Sequence, residues 1–215
     1  MQKTHFSHSD IMAFEQRYRA VFINTLGGFK SVCLIGTVNY QKQSNLAIFN
    51  SILHIGANPP LIGFVARPDS VERHTLENIL ETSFYTINHL NQEIYKNAHQ
   101  TSARYPGEVS EFDAAKLTEE YKNDFFAPFV KESQVQLGVE FKQKIDFNIN
   151  GTSFIIGEIK HVFLPQECLN DDGFLDLEKA GTVTCSGLDS YHTTSKISRL
   201  SYAKPHSWPE EIRNG

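Results

Sequence analysis

Residues 135–163 carry the strongest structural constraint in the chain. Val135, Leu137, Val139, Phe141, Ile145, Phe147 and Ile149 fall on alternating positions, the period at which a pleated strand presents one face to a core. Asn150-Gly151 follows, a pair that accepts the positive φ angles of a tight hairpin turn. Residues 153–163 then run as a second strand. Whatever else the chain does, it must accommodate a long antiparallel hairpin.

The sequence upstream is compatible with that demand. Ser9 or Asp10 can cap a helix in which Ile11, Met12, Phe14, Tyr18, Val21 and Phe22 recur at helical spacing, and Gly27-Gly28 closes it. Residues 31–38 read as a buried strand, residues 45–55 as a second, and residues 61–67 as a third, with Asn58-Pro59-Pro60 as punctuation between the last two. Residues 67–70 form a loop. Thr75 opens a short helix with Leu76, Ile79 and Leu80 on one face, and residues 84–90 form a fourth strand. Residues 92–101 are expected to be helical and residues 103–115 loop-like, while the aromatic stretch 121–130 matches neither period. Several strands, short helices and no βαβ rhythm predict a mainly β fold, an antiparallel barrel with peripheral helices. One domain is expected over residues 1–204, including an N-terminal helical segment 1–28, with a polar tail at 205–215.

Composition limits what such a domain binds. Of the 215 residues 40% are hydrophobic and 21% charged, a globular balance. A formal net charge of −5 and no basic patch argue against nucleic acid as a partner. No apolar run approaches the length of a membrane span, and residues 1–8 hold no apolar signal core, so a cytoplasmic location is expected. Cys33, Cys168 and Cys185 have neither the number nor the spacing of a disulfide framework or a metal site. His5 and His8 lack further ligands nearby. Asp171-Asp172-Gly173 lacks the periodic ligands of a calcium loop, and Ser186-Gly187 lacks the frame of a hydrolase elbow.

An ordered set of segments resembles the flavin reductase-like family. It begins with Gly36-Thr37 at a strand end, then Asn45-Leu46-Ala47-Ile48-Phe49-Asn50-Ser51 and Asn58-Pro59-Pro60-Leu61. Arg67-Pro68, His74-Thr75-Leu76-Glu77-Asn78-Ile79 and Phe84-Tyr85-Thr86-Ile87-Asn88 continue it, and Ser110-Glu111-Phe112 and Arg199-Leu200-Ser201-Tyr202 extend it toward the C-terminus. No one segment is distinctive; the order and spacing are. The resemblance implies a six-stranded Greek-key split barrel, FMN at the interface of a homodimer, and flavin reduction by NADH or NADPH.

A flavin sets two requirements: donors and positive charge for its phosphate, and a flat apolar slot with polar groups at its edge for the ring. On the matched segments Arg67 suits the phosphate best, because its planar fork binds two oxygens at once. Thr75, at a helix start, can donate its hydroxyl, with His74 beside it. Asn45, Asn50 and Ser51 lie on the strand and turn that the family sets against the flavin. Relatives commonly carry Ser where this chain has Asn50. Thr37, Leu46 and Ala47 are expected to line the ring through main-chain contacts, and Arg199 with Tyr202 to cover the pocket or reach a partner chain's flavin. No catalytic acid, base or nucleophile is expected, since the cofactor carries the chemistry. A flavin carrier without reductase activity is the alternative reading, and a flavinless split barrel acting through protein contacts is a second.

Overall fold

The structure, a computed structural model, describes residues 1–67 and 74–212. The expected turn after Arg67 therefore lies outside the described residues. In chain order the elements are α1 (His8–Ala13), α2 (Gln16–Leu26), β1 (Lys30–Ser31), β2 (Cys33–Val38), β3 (Ser44–Phe49), β4 (Ile52–Ala57) and β5 (Pro60–Ala66). They continue with α3 (His74–Thr82), β6 (Phe84–His89), α4 (Tyr95–Gln100), α5 (Glu111–Ala114), β7 (Glu119–Glu120) and β8 (Phe129–Val130). β9 (Gln136–Phe147), β10 (Thr152–Phe163), β11 (Thr184–Ser186) and β12 (Ser190–His192) complete the set.

The hairpin forms where the alternation requires it. Its two twelve-residue strands are joined through Asn150 and Gly151, the glycine at φ 70°. β9 then pairs with β6 and β10 with β5, both antiparallel, giving a seven-stranded sheet in the order β3-β2-β6-β9-β10-β5-β4. This is one strand more than the six expected. The extra strand arises at residues 45–55, expected as one strand, which break at Asn50-Ser51 into β3 and β4.

The break shapes the barrel. β3 and β4 stand at opposite ends of the sheet order, yet only Asn50 and Ser51 separate them in sequence. Seven strands about 4.8 Å apart would place flat sheet edges roughly 29 Å from each other, whereas two intervening residues span only about 11 Å. The sheet must roll up until its edges meet, leaving an unpaired seam between β3 and β4: a split barrel.

Burial follows from this roll. Every residue of β2 is buried, which explains its unbroken apolar run. Alternate residues from Val32 onward feed two cores. Cys33 and Ile35 join Phe64, Leu76, Ile79, Tyr85, Ile87, Val139 and Ile155 in one. Val32 and Leu34 join Leu46, Leu90, Ile94, Phe112 and Val130 in the other. The aromatic stretch 121–130 supplies Phe125 and Phe129, which pack with Phe84 and Phe163 beside β8.

The N-terminal segment departs from the expected single helix. Phe14 is extended, at φ −60° and ψ 145°, and ends α1, while the Glu15 side chain accepts from the Arg17 and Tyr18 amides to start α2. An acidic cap satisfies two orphan helix donors, so the break costs little. Neither helix buries a residue. Their apolar side chains gather instead in a local cluster of Phe6, Phe14, Tyr18 and Phe22. Among the described residues no helix is long and apolar enough to cross a membrane.

Candidate functional site

The start of β3 and the start of α3 converge on one cleft of about 500 Å³, within the range of small-molecule sites. Its wall includes Ser44, Asn45, His74, Glu77, Asn78, Glu81 and Glu108. The register Thr37↔Asn45 places β2 directly behind the floor. α3 lies across β2 and β3 because Leu76 and Ile79 on its inner face belong to the barrel core. His74, Thr75 and Asn78 are brought to the strand ends as a result.

A directed hydrogen-bond chain runs beneath the cleft. Thr75 Oγ1 donates to Asn45 Oδ1 at 2.7 Å, and Asn45 Nδ2 donates to Glu111 Oε2 at 2.7 Å. The Leu46 amide also donates to Glu111 Oε2, at 3.1 Å. Because a main-chain N–H already identifies Glu111 as an acceptor, the nitrogen of the Asn45 amide must face it and the oxygen must face Thr75. Asn45, Thr75 and Glu111 are all buried. Nearby, Asn78 Nδ2 donates to Thr37 Oγ1 at 3.1 Å. Ser44 Oγ lies 2.8 Å from Ser110 Oγ and also donates to Glu119. α5 is thereby tied to β3 by both residues of the Ser110-Glu111 pair.

The expected site residues divide into groups. Thr37, Asn45 and Thr75 belong to one buried polar cluster, and His74 stands in the cleft wall with its ring near Gly107. Leu46 buries its side chain in the core, and its N–H is committed to Glu111. Along an antiparallel edge strand successive amides alternate in direction, so Ala47 turns its N–H back toward Ile35 of β2. Arg67 follows β5 and is exposed. Asn50 Nδ2 donates to the Gly187 carbonyl at 2.9 Å. Ser51 Oγ donates to the Val65 carbonyl at 3.0 Å and accepts from the Val65 amide at 3.2 Å. Asn50 thus ties the β3–β4 link to the turn between β11 and β12, and Ser51 ties it to β5. Arg199 pairs with Asp172 at 2.6 Å and lies 4.0 Å above the Phe174 ring. That contact holds the Asp172 carboxyl below its ordinary range. Tyr202 is exposed.

Glu111 is the residue that sequence reasoning left without a role. Ser110-Glu111-Phe112 is visible as a motif, but nothing in it shows that the carboxylate turns inward. The acidic wall of Glu77, Glu81 and Glu108 was equally unmarked, because those residues come from α3 and a distant loop. Among the described residues no three His, Cys, Asp or Glu side chains gather to hold a metal.

The residues present fit a flavin in a particular way. Neutral amides and hydroxyls on the floor suit ring and ribityl groups. Glu81 and Glu108 in the wall would oppose a phosphate placed against them.

Comparison with known proteins agrees with the architecture. The structure superposes on a split-barrel protein of Shewanella frigidimarina NCIMB 400, classed with the flavin reductases, at TM-score 0.91 and 53% identity, over 94% of this chain and 100% of that one. It also superposes on nitrilotriacetate monooxygenase component B of Bacillus cereus (TM-score 0.80, 17% identity, 93% and 100% covered). A third match is flavoredoxin of Desulfovibrio vulgaris (Miyazaki F), at TM-score 0.69 and 22% identity, with 84% and 92% covered. These last two likenesses speak to the fold alone. An uncharacterized protein of Aquifex aeolicus (strain VF5) is 29% identical over 103 residues, 47% of this chain and about half (53%) of its own length. Residues 26–178 match the flavin reductase like domain, a stretch that contains the whole seven-stranded sheet and the cleft. The chain belongs to the flavin reductase-like family.

Proposed function

We propose that this protein is an FMN-binding flavin oxidoreductase that takes reducing equivalents from NADH or NADPH and works as a cytoplasmic homodimer. The observation that carries the reading is the cleft where β3 meets α3: it lies inside the family-matched segment and joins Asn45 and His74 in one wall. Arg67, at the end of β5, supplies the cation for the phosphate, with His74 as a second donor. Asn45 and the half-buried methyl of Ala47 face the ring. Bound flavin supplies the hydride-accepting ring; the chain orients that ring and excludes water from it. The homodimer reading draws support from apolar side chains that the single chain leaves uncovered, including Met12, Val21, Leu26, Phe29, Ile197 and Trp208.

The test is an FMN titration followed by anaerobic addition of NADH or NADPH. Binding with bleaching of the flavin is expected, and the nucleotide that bleaches it is the reductant. Binding without bleaching by either would favour a flavin carrier, a reading that the wall carboxylates support because they oppose a second anionic ligand. No FMN binding would overturn the assignment. Replacing Arg67 with Ala should weaken FMN roughly tenfold or more while leaving riboflavin nearly unchanged, since only FMN carries the phosphate. Equal losses for the two ligands would show that Arg67 does not read the phosphate.

A further inference from the structure

Past β12 the chain runs on as an arm over residues 193–212. Its root is clamped. Lys196 pairs with Asp176 at 3.3 Å, and Arg199 pairs with Asp172 at 2.6 Å while lying 4.0 Å above the Phe174 ring. Past Arg199 the hydrogen bonds of the arm stay within it. The Ser201 amide donates to the Glu210 carbonyl and the Ile212 amide to the Arg199 carbonyl, each at 2.8 Å, which closes a small hairpin. Ile197 at its root and Tyr202 and Trp208 on it are at least 90% exposed. A lone two-stranded hairpin is at best marginally stable in water, so this one lacks a cover.

A complementary surface lies beside that root. Val162, Phe163, Leu164 and Leu169, with Gln166, line a groove of about 530 Å³, within the range that accepts a small aromatic group. Val162 and Leu169 are exposed there with the chain's own arm in place, so that arm does not fill the groove. Leu169 bridges to Leu175, the neighbour of the Phe174 that seats Arg199. Charge matches as well. Residues 166–178 hold Glu167, Asp171, Asp172, Asp176 and Glu178 and no lysine or arginine, whereas residues 193–209 hold Lys196, Arg199 and Lys204 and no acid. The root pairs use Asp172 and Asp176. Among the described residues Glu167, Asp171, Glu178 and Lys204 make no ion pair.

We propose that the arm is exchanged between two copies of this chain: Tyr202 and Trp208 of one copy cover the groove at Val162 and Leu169 of the other, and the contact is repeated in reverse. Arm root and groove are neighbours on one chain, so a single two-fold axis lets both arms cross at once and the pairing closes. Each aromatic buries about 150–250 Å² when covered. Two arms, with the surface they cover, then bury roughly 1,200–2,000 Å², the size of a standard interface. Lys204 is carried to the acidic segment of the second copy, where oppositely charged groups favour correct pairing. This inference rests on the homodimer reading above and names the surface that forms it.

Trp208 is the sole tryptophan of the chain, so its fluorescence reports the arm directly in the full-length protein. At concentrations where light scattering gives a dimer, its emission should be that of a buried indole. On dilution it should move to longer wavelength along the same curve as the mass. Val162→Glu places a charge on an exposed groove position and should weaken the dimer at least about tenfold while leaving Trp208 in water; Trp208→Ala should weaken it similarly. A mixture of these two variants should associate more tightly than either alone, because the mixed dimer keeps one intact arm and groove. A dimer whose Trp208 stays in water would overturn the arm exchange and leave the homodimer standing. A monomer with a buried Trp208 would place the arm on its own chain and overturn both, as would a monomer with Trp208 in water at every concentration. A mixture no tighter than its parts would overturn the reciprocal contact.

Discussion

A Cβ built on Gly157 would stand 2.4 Å from Tyr85 Oη and 2.4 Å from Val139 Cγ1. Gly157 sits at a register shift in β10, where the strand comes close against the barrel core. Gly157→Ala should therefore cost roughly 1–3 kcal/mol through overpacking. The Tyr85 hydroxyl is buried without a hydrogen-bond partner, so Tyr85→Phe should stabilise the fold by about 1 kcal/mol and recover part of the Gly157→Ala loss. Urea unfolding of the two single variants and the double variant checks both; a lower midpoint for Tyr85→Phe would mean that the hydroxyl has a use. His89 is a second residue-scale case. Burial lowers its pKa to about 4, and its Nδ1 lies 3.3 Å from Thr182 Oγ1. In the unfolded chain a histidine titrates near 6.5, so below that pH the unfolded state binds the proton that the folded state refuses. Stability from keeping His89 neutral is complete above about pH 6.5 and is lost as pH falls toward 4, by about 3 kcal/mol. The drop in urea midpoint between pH 7.5 and pH 4.5 should be smaller in His89→Gln than in the native protein.

Among elements, α1 and α2 contrast with the strands. Ser7 and Asp10 form a reciprocal capping box at the start of α1, and Glu15 caps α2, so the helices hold by local hydrogen bonds. With no residue buried in either, they should open without the barrel. In dilute protein their amides should exchange at least tenfold faster than those of β2, β6 and β9; equal protection would show that they are docked. Element legibility tracked the same division. The β9–β10 hairpin was legible because alternation and Asn150-Gly151 are local properties. The interruption at Phe14 was not, because apolar residues continue at helical spacing across it and a glutamate is a weak sign of a cap. Nor was the break at Asn50-Ser51. Ile48 and Phe49 precede it and Ile52 and Leu53 follow, so the apolar pattern runs on while the backbone turns.

At the scale of the molecule, uncovered apolar side chains recur on the N-terminal helices, on the hairpin tip at Ile145, Phe147 and Ile149, and on the C-terminal segment at Ile197, Tyr202 and Trp208. Patches of this kind are characteristic of surfaces that associate. Light scattering should give twice the chain mass at micromolar concentration, and the chain mass alone would remove the homodimer from the proposed function. The sequence by itself determined the fold class, because strand period, turn chemistry and the order of the family segments are all written along the chain. It also singled out Asn45, His74 and Thr75, which the fold brings close to one another. Only the tertiary structure decided which polar groups those residues meet. Glu111 reaches Asn45 across 66 positions, and Asn50 reaches Gly187 across 137. Each side chain offers its donors and acceptors wherever it lies, but the direction of a hydrogen bond is set by the partner the fold delivers. That is why Asn50 turns to the Gly187 carbonyl and Ser51 to Val65, and why Thr75 points its proton inward.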